Sequence, residues 1–271
     1  MIDLSAAIEI ASATHTGMVR SHNEDTIAAD AEIGLAVLAD GMGGYNAGEI
    51  ASGIAVTLIT AEMKKVLAQR PAADLSDAEA QLLIGEYAAK ANAAIFQAAQ
   101  TQPQYSGMGT TLVMALWYDN RMGVGHIGDS RLYRLRGETL EQVTRDHSLL
   151  QEQIDSGMIS KADARFSQNK NLVTRAVGID PDVETEINSY AVQPGDIYLL
   201  CSDGLSDMVA DEDIELTLSS LKANLALAAE QLVQQANDNG GRDNVSVVLV
   251  RIVKDFPART GWWEKLKSWF R

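Results

Sequence analysis

Four aspartates in this chain each stand beside a glycine or an asparagine at the edge of an apolar run. They are Asp25, Asp40, Asp203 and Asp243. A strand that ends in Asp-Gly places a carboxylate at the rim of a sheet, where the glycine lets the backbone turn sharply or approach a ligand. A single Asp-Gly usually marks a turn, and that interpretation stays open for each one taken alone. Four carboxylates brought together by folding would repel one another, so the set predicts a cation site.

The donor atoms of such a cluster indicate which metal it would hold. Carboxylate oxygens select hard cations such as Mg²⁺ and Mn²⁺. Zinc is disfavoured, because the chain has one cysteine and no His-rich pattern among its four histidines. Asp40, which begins a glycine-rich turn, could bridge two ions, and the Gly41 carbonyl would add an uncharged ligand. Two ions about 3.5–4 Å apart can lower the pKa of a shared water and direct the resulting hydroxide at phosphorus.

The elements that would position these residues can be read from the hydrophobic pattern. It predicts strands near 7–14, 32–39, 110–118, 121–127, 131–135, 140–144, 196–201 and 245–253, and helices near 46–69, 76–100, 147–157 and 224–238. Asp119-Asn120 and Arg136-Gly137-Glu138 predict two hairpins, and hairpins require antiparallel pairing. Because the helices are grouped apart from the hairpins, we expect a layered α+β domain rather than repeating βαβ units.

Composition excludes some classes of partner and location. The net charge of −15 over 271 residues argues against nucleic acid as the main ligand. Cys201 lies in an apolar stretch and is the single cysteine, which predicts a buried structural thiol in a reducing compartment. The N-terminus lacks the features of a secretory signal, and no apolar run is long enough to span a bilayer. We therefore expect a cytoplasmic protein.

The last eighteen residues differ from the rest of the chain. Residues 254–271 carry five basic and two acidic side chains, and they include Trp262, Trp263 and Trp269. One interpretation is a C-terminal helix that docks on the acidic body. The other is a helix that contacts a partner or a membrane surface, since Trp and Lys suit an interface. We predict a main domain over 1–253 and a basic, Trp-rich tail over 254–271.

The order of six short motifs resembles a known family. The motifs are Arg20-x-x-Asn23-Glu24-Asp25, Asp40-Gly41-Met42-Gly43-Gly44, Gly128-Asp129-Ser130-Arg131, Asp146-His147-Ser148, Ser202-Asp203-Gly204 and Gly241-Arg242-Asp243-Asn244. Together they resemble the metal-dependent serine/threonine protein phosphatases of type 2C, in their bacterial form, over about residues 8–253. The resemblance implies a four-layer α-β-β-α sandwich of two antiparallel sheets flanked by helices, and a binuclear Mn²⁺ or Mg²⁺ centre.

The resemblance also implies ligand roles for the central residues. Asp40 would bridge both ions, and Gly41 would offer its carbonyl oxygen. Asp203 and Asp243 would complete the shell of one ion.

Further roles implied by the resemblance lie around this core. Glu24 and Asp25 would hold the other ion, largely through waters. Asp129 would help to bind a third, weaker metal, although an Asp-Ser turn would explain the same residues. Arg20 would clamp the substrate phosphate, since a guanidinium fork matches two phosphate oxygens, whereas an isolated arginine is usually a solvated surface residue.

One position departs from the wider family. Eukaryotic members commonly have a histidine where Met42 stands, and that histidine is their proposed general acid. Methionine cannot donate a proton. We assign no general acid, and we expect His22 and His147 to make structural hydrogen bonds.

The main hypothesis is therefore an enzyme that hydrolyses phosphoserine and phosphothreonine in proteins, using a hydroxide activated at a binuclear Mn²⁺ or Mg²⁺ centre. Phosphorylated proteins and a cognate serine/threonine kinase are the implied partners. Two alternatives stay open: a catalytically silent, phosphatase-like binding module, and a phosphatase of small phosphorylated metabolites.

Overall fold

The computed structural model describes residues 4–44, 47–160, 163 and 172–258. The strands are β1 Ile8–His15, β2 Asp25–Asp30, β3 Leu35–Met42, β4 Gly109–Thr110, β5 Leu112–Tyr118, β6 Arg121–Ile127, β7 Arg131–Arg136, β8 Thr139–Gln142, β9 Glu186–Ala191, β10 Ile197–Cys201 and β11 Val245–Ile252. The helices are α1 Ala47–Gln69, α2 Asp77–Thr101, α3 Leu149–Asp155, α4 Asp203–Ser206, α5 Asp211–Leu221 and α6 Leu225–Asp238. Short 3₁₀ turns lie at Leu4–Ala6, Ala72–Asp74 and Pro103–Tyr105.

The strands form two antiparallel sheets. The first has the order β1-β11-β10-β7-β8, and the second has the order β2-β3-β5-β6-β9, with β4 paired to β3. Helices α1 and α2 cover the second sheet, while α5 and α6 cover the first. The predicted four-layer α-β-β-α sandwich is therefore confirmed.

The central strands of the first sheet are buried on both faces, so their side chains alternate between two cores. In β10, Tyr198 and Leu200 face the core between the sheets. Ile197, Leu199 and Cys201 face the core beneath α5 and α6. The predicted burial of Cys201 is confirmed, and burial raises the pKa of its thiol to about 12.

Both predicted hairpins are present. The turn between β5 and β6 consists of Asp119 and Asn120, which adopt positive φ values of 42° and 53°. Asp and Asn tolerate this left-handed conformation, which suits the twist of a two-residue hairpin. In the second hairpin Gly137, at φ 67°, lies between β7 and β8.

Strands β2 and β9 and helix α5 were not predicted. β2 and β9 are the two edges of the second sheet, and most of their residues are only partly buried. An edge strand needs fewer apolar residues than a central one, so its sequence carries a weaker pattern. Helix α5 buries only Ile214, Thr217 and Leu218. Its short apolar stripe explains why periodicity did not reveal it.

The chain runs from β11 back to the β5–β6 turn. Phe256 is fully buried, and its N–H donates to Asn120 Oδ1 at 2.6 Å. The remaining residues of the predicted tail, from 259 onward, lie outside the described residues. No helix within the described ranges has both the length and the apolarity that a bilayer crossing requires.

Candidate metal centre

The four aspartates predicted from the sequence lie along one rim of the sandwich. In the second sheet, Asp25 at the start of β2 lies opposite Asp40 near the end of β3. In the first sheet, Asp203 follows β10 and Asp243 precedes β11, and these two strand ends are adjacent because Cys201 pairs with Val247. Ser202 joins the two sheets here, since its Oγ donates to Asp25 Oδ2 at 2.8 Å.

The negative charges of these carboxylates affect one another's pKa values. Burial raises the pKa of Asp40 well above its usual range, and the negative charges of Asp25, Asp203, Asp129 and Asp243 raise it further. Burial likewise raises the pKa of Asp203, with contributions from Asp129 and Asp243. Burial also raises the pKa of Asp25 to about 6. Such a group is electrostatically unfavourable when all its members are ionised.

One oxygen atom shows that these residues suit a cation. Asp25 is 9% exposed, and its Oδ1 is buried without a hydrogen-bond partner among the residues that the structure describes. A buried carboxylate oxygen without a donor is unfavourable unless a cation satisfies it. Because the surrounding donors are carboxylate oxygens, the set fits Mg²⁺ or Mn²⁺.

The backbone of Asp40 is fixed by the segment that follows α2. Its N–H donates to Thr111 Oγ1 at 3.0 Å, and its carbonyl accepts from Thr111 N at 2.8 Å and from Thr110 Oγ1 at 2.8 Å. Thr111 Oγ1 also lies 2.7 Å from Ser130 Oγ. These contacts hold Asp40 in place without using its carboxylate, which stays available to a ligand.

Gly41 lies where the start of α1 crosses the end of β3. A Cβ atom at this position would lie 2.1 Å from the carbonyl oxygen of Gly48, so only glycine permits the close approach. The Gly41 N–H donates to the Glu24 carbonyl at 3.1 Å, and Ser52 Oγ donates to the same carbonyl at 2.6 Å. The Asp-Gly pair therefore has a structural reason here, and the ligand role of the Gly41 carbonyl stays a prediction.

Asn244 organises the loop that carries Arg20 and Glu24. Its Oδ1 accepts from the Glu24 N–H at 2.7 Å, and its Nδ2 donates to the carbonyls of Thr16 and His22 at 2.9 Å each. Asn244 as a whole residue is 4% exposed. One buried amide thus ties the 16–24 loop to the start of β11. His22 contributes its backbone to this network, and Ser21 Oγ lies 3.1 Å from its Nε2.

Arg20 lies at the mouth of the site. Its Nη2 donates to Asp243 Oδ2 at 2.7 Å, and its side chain is 52% exposed. This hydrogen bond, opposed by partial burial, raises the pKa of Arg20 above its usual value. Glu24 is half-buried nearby, and burial raises the pKa of its carboxyl group while Arg20 opposes the rise. The structure thus places both predicted residues at the rim, with Arg20 paired to a predicted metal ligand.

Asp129 lies where the chain passes from β6 in the second sheet to β7 in the first. It is 7% exposed, and burial followed by the charge of Asp146 raises its pKa to about 6. Its charge in turn raises the pKa of Asp203. Asp146 itself is held by Arg131, whose Nε and Nη2 donate to the two carboxylate oxygens at 2.9 and 2.7 Å.

Asp207 belongs to the same acidic group, and the sequence reasoning missed it. Its charge raises the pKa of both Asp203 and Asp129. Its N–H donates to the Asp203 carbonyl at 2.7 Å, so the two residues share one helical turn. The four-residue spacing from Asp203 was the available signal. Asp207 and Asp129 line a cleft of about 550 Å³ that opens beside the rim between α3 and the α4–α5 connection.

Comparisons with known proteins agree with this architecture. Residues 14–246 match the family model for protein phosphatase 2C. The chain is 37% identical over 240 residues to the serine/threonine phosphatase stp of Listeria welshimeri, which covers 88% of this chain and 93% of that protein. The structure is similar to the crystal structure of the Mycobacterium tuberculosis serine/threonine phosphatase PstP/Ppp, with a TM-score of 0.82, 36% identity, and coverage of 91% and 99%. It is also similar to the catalytic domain of PstP in complex with two manganese ions, with a TM-score of 0.80, 37% identity, and coverage of 92% and 99%.

Proposed function

This chain belongs to the protein phosphatase 2C family, and we propose that it is a metal-dependent enzyme that removes phosphate from phosphoserine and phosphothreonine in proteins. The observation that carries the proposal is the convergence of buried carboxylates at one rim, among them Asp25 with a buried oxygen that has no donor within the described ranges. The relatives named above are serine/threonine phosphatases, and one was crystallised with two manganese ions.

We assign the ligands of two Mn²⁺ or Mg²⁺ ions as follows. Asp40 would be a ligand of both ions, Asp203 and Asp243 would complete the ligands of one, and Asp25 would belong to the other. Gly41 would contribute its carbonyl oxygen, and Glu24 would contribute through a water molecule. When bound, such ions polarise a phosphoryl oxygen and lower the pKa of a water molecule to a value where it can act as nucleophile near neutral pH.

Asp129 is proposed as a ligand of a third, weaker ion, shared with Asp203. The support is its low exposure and its strong electrostatic effect on Asp203. If Asp129 only stabilised a turn, its carboxylate would not need to lie close to the buried carboxylate of Asp203.

Arg20 is the proposed phosphate clamp. Its guanidinium group is half-exposed at the mouth, and its fork can donate two hydrogen bonds to phosphate oxygens. Phosphate would compete with Asp243 for these donors, because Arg20 Nη2 now contacts that carboxylate. Donors aimed at the phosphoryl group favour the charge of the transition state. Met42 offers no proton, so the proton of the leaving alkoxide is not assigned to a side chain.

The wider biological setting is also proposed. A cognate serine/threonine kinase would generate the phosphorylated substrates. A cytoplasmic location is supported by the buried free thiol of Cys201, which suits a reducing compartment. The phosphatase domain would span 1–253, and the basic segment 254–271 would dock on the acidic body or contact a partner or a membrane surface. Comparing the thermal stability of the full chain with that of a variant truncated after Ala258, which keeps the buried Phe256, separates docking from interaction.

The function is tested by hydrolysis of an aryl phosphate and of phosphoserine peptides. We expect turnover to require added Mn²⁺ or Mg²⁺, to stop with a chelator, and to fall to background in Asp40→Asn and Asp203→Asn. Asp30→Asn is the matched control, because Asp30 lies at the other end of β2 and pairs with Lys64 at 2.9 Å. Undiminished turnover by Asp40→Asn in chelator would falsify the metal-dependent reaction. Faster turnover of sugar phosphates than of phosphopeptides would instead favour a metabolite phosphatase.

A further inference from the structure

Two of the four histidines meet a glutamate on the second sheet, away from the aspartate ligands. His126 on β6 lies opposite Glu186 on β9 in the strand register. His147 follows β8 and packs against His126, with ring centroids 4.7 Å apart and planes tilted by 32°. One nitrogen from each ring and one carboxylate oxygen of Glu186 all lie within 4.8 Å of one another.

His126 has one ring nitrogen with an unused lone pair. Its Nε2 lies 3.0 Å from the Ser130 carbonyl, an acceptor, so Nε2 carries the proton. Its Nδ1 is buried and has no hydrogen-bond partner among the described residues, and the residue is 1% exposed. Leaving a buried polar atom without a partner is unfavourable. Burial also lowers the pKa of His126 to about 4, so the ring is neutral at physiological pH and its lone pair is free.

His147 and Glu186 complete the group and give it access to solvent. His147 Nδ1 accepts from the Gly128 N–H at 3.1 Å, so the proton of the neutral ring lies on Nε2, which is 3.3 Å from Glu186 Oε2. Glu186 has 38% of its side chain exposed, whereas the His147 side chain is 10% exposed. A cation could therefore enter from the Glu186 side.

We propose that His126, His147 and Glu186 form a second metal site, which takes one zinc-type cation and shares no ligand with the aspartate centre. Two imidazoles and a carboxylate suit Zn²⁺, Co²⁺ or Ni²⁺ better than the hard cations that oxygen-only sets select. Water would fill the fourth position. The Ser130 carbonyl supplies the outer hydrogen bond that orients a ligating imidazole. Ligand atoms about 2.0–2.1 Å from zinc lie about 3.3 Å apart. His147 Nε2 and Glu186 Oε2 already have this spacing, so any longer distance within the group would shorten when the ion binds.

Binding at this site should disturb the turn that carries Asp129. Ligation through His147 Nε2 requires the proton of the neutral ring to move to Nδ1, with none gained or lost overall. Nδ1 then faces the Gly128 N–H as a second donor, and their hydrogen bond breaks. Gly128 adopts φ 106° and directly precedes Asp129. Binding of the cation would thus alter the backbone beside Asp129, the predicted third-metal ligand, although the two sites share no side chain.

The experiment uses the full chain carrying Asp40→Asn and Asp203→Asn, so that the aspartate centre is disabled. Zn²⁺ or Co²⁺ is added alone, excess metal is dialysed away, and bound metal is counted by atomic emission. We expect one ion per chain, with the intense visible absorption of four-coordinate Co²⁺ that oxygen-rich six-coordinate sites lack. Amide NMR should show the Gly128 resonance shifting when Zn²⁺ binds.

Substitutions of the ligands decide the proposal. The Glu186 side chain is 38% exposed, so Glu186→Gln should fold. Its Zn²⁺ affinity should fall by more than the roughly 10–100-fold that is lost when a residue hydrogen-bonded to a metal ligand is replaced. His126→Gln should lose the visible Co²⁺ absorption. His15→Gln is the control, because His15 is exposed at the end of β1, where its Nδ1 accepts from the Gly17 N–H at 2.9 Å, and the substitution should leave binding unchanged. Unchanged Zn²⁺ affinity in Glu186→Gln, or no ion retained by the parent, would show that the group is a hydrogen-bonded core pair and no metal site.

Discussion

Replacing Asp25 by asparagine should raise the free energy of unfolding in the absence of metal, and it should reduce the stabilisation that Mn²⁺ provides. Burial raises the pKa of Asp25 from 3.8 to about 6, the charge of Asp243 adds to the rise, and hydrogen bonds from Ser246 and Ser202 oppose it. A carboxyl group whose pKa is raised on folding makes its full contribution to the free energy of unfolding below about pH 4. That contribution is lost as the pH rises through about 6. At pH 8 in chelator, the ionised carboxylate therefore destabilises the fold.

The size of the effect follows from the same values. A rise from 3.8 to about 6 corresponds to roughly 3 kcal/mol at pH 8. Asparagine removes the charge but keeps the shape, so Asp25→Asn should raise the free energy of unfolding in chelator by about 1–3 kcal/mol. For a chain of 271 residues this is a rise in Tm of roughly 2–6 °C. With Mn²⁺ at a hundredfold excess over Kd, the parent should gain about 2.7 kcal/mol, and the variant should gain less.

Urea denaturation at pH 8, in chelator and in Mn²⁺, measures both effects. Asp30→Asn on the same strand is the control. Partial burial acts to raise the pKa of Asp30, but the hydrogen bond from Lys64 lowers it, so losing this carboxylate should cost at most about 1 kcal/mol in either condition. If Asp25→Asn is less stable than the parent in chelator and responds fully to Mn²⁺, the carboxylate is an ordinary structural group and the electrostatic argument is wrong.

Three other substitutions test the surroundings of the site. Arg20→Ala should lower kcat/KM on phosphopeptides by about 10–100-fold, because it removes charge-assisted hydrogen bonds to the phosphate. Arg242 is exposed, and Arg242→Ala should change kcat/KM little. Equal effects of the two substitutions would contradict the proposed phosphate-binding role of Arg20. Asn244→Ala should lower the free energy of unfolding by about 2–4 kcal/mol in urea, because three backbone groups lose their partner. Arg131→Ala should lower the free energy of unfolding by about 3–5 kcal/mol by removing the counter-ion of Asp146, and adding Asp146→Ala should restore part of that loss.

Much of the fold could be predicted from the sequence because its central strands and long helices carry strong periodic patterns. β10 and β11 are buried on both faces and read as apolar runs, and Ser76 forms a capping box with Glu79 at the start of α2. β2 and β9 could not be predicted in the same way. They are edge strands, and their positions depend on hydrogen bonds from β3 and β6 rather than on their own apolar content.

The candidate site shows the same division between local and long-range information. Asp40 and Asp203 stand at the ends of strongly patterned strands, so their place on the rim could be inferred. The role of Asn244 could not, because its three hydrogen bonds join residues more than two hundred positions apart in the chain. The meeting of His126 with Glu186 is equally invisible in the sequence, because it depends on the register between β6 and an unpredicted edge strand.

Anomalous scattering at the manganese edge, from crystals of the full chain grown with Mn²⁺, tests the central claim most directly. The account predicts two strong peaks on either side of the Asp40 carboxylate, one next to Asp203 and Asp243 and the other next to Asp25. A well-ordered crystal with no peak at Asp40, or with peaks only at sites remote from these four aspartates, would contradict it.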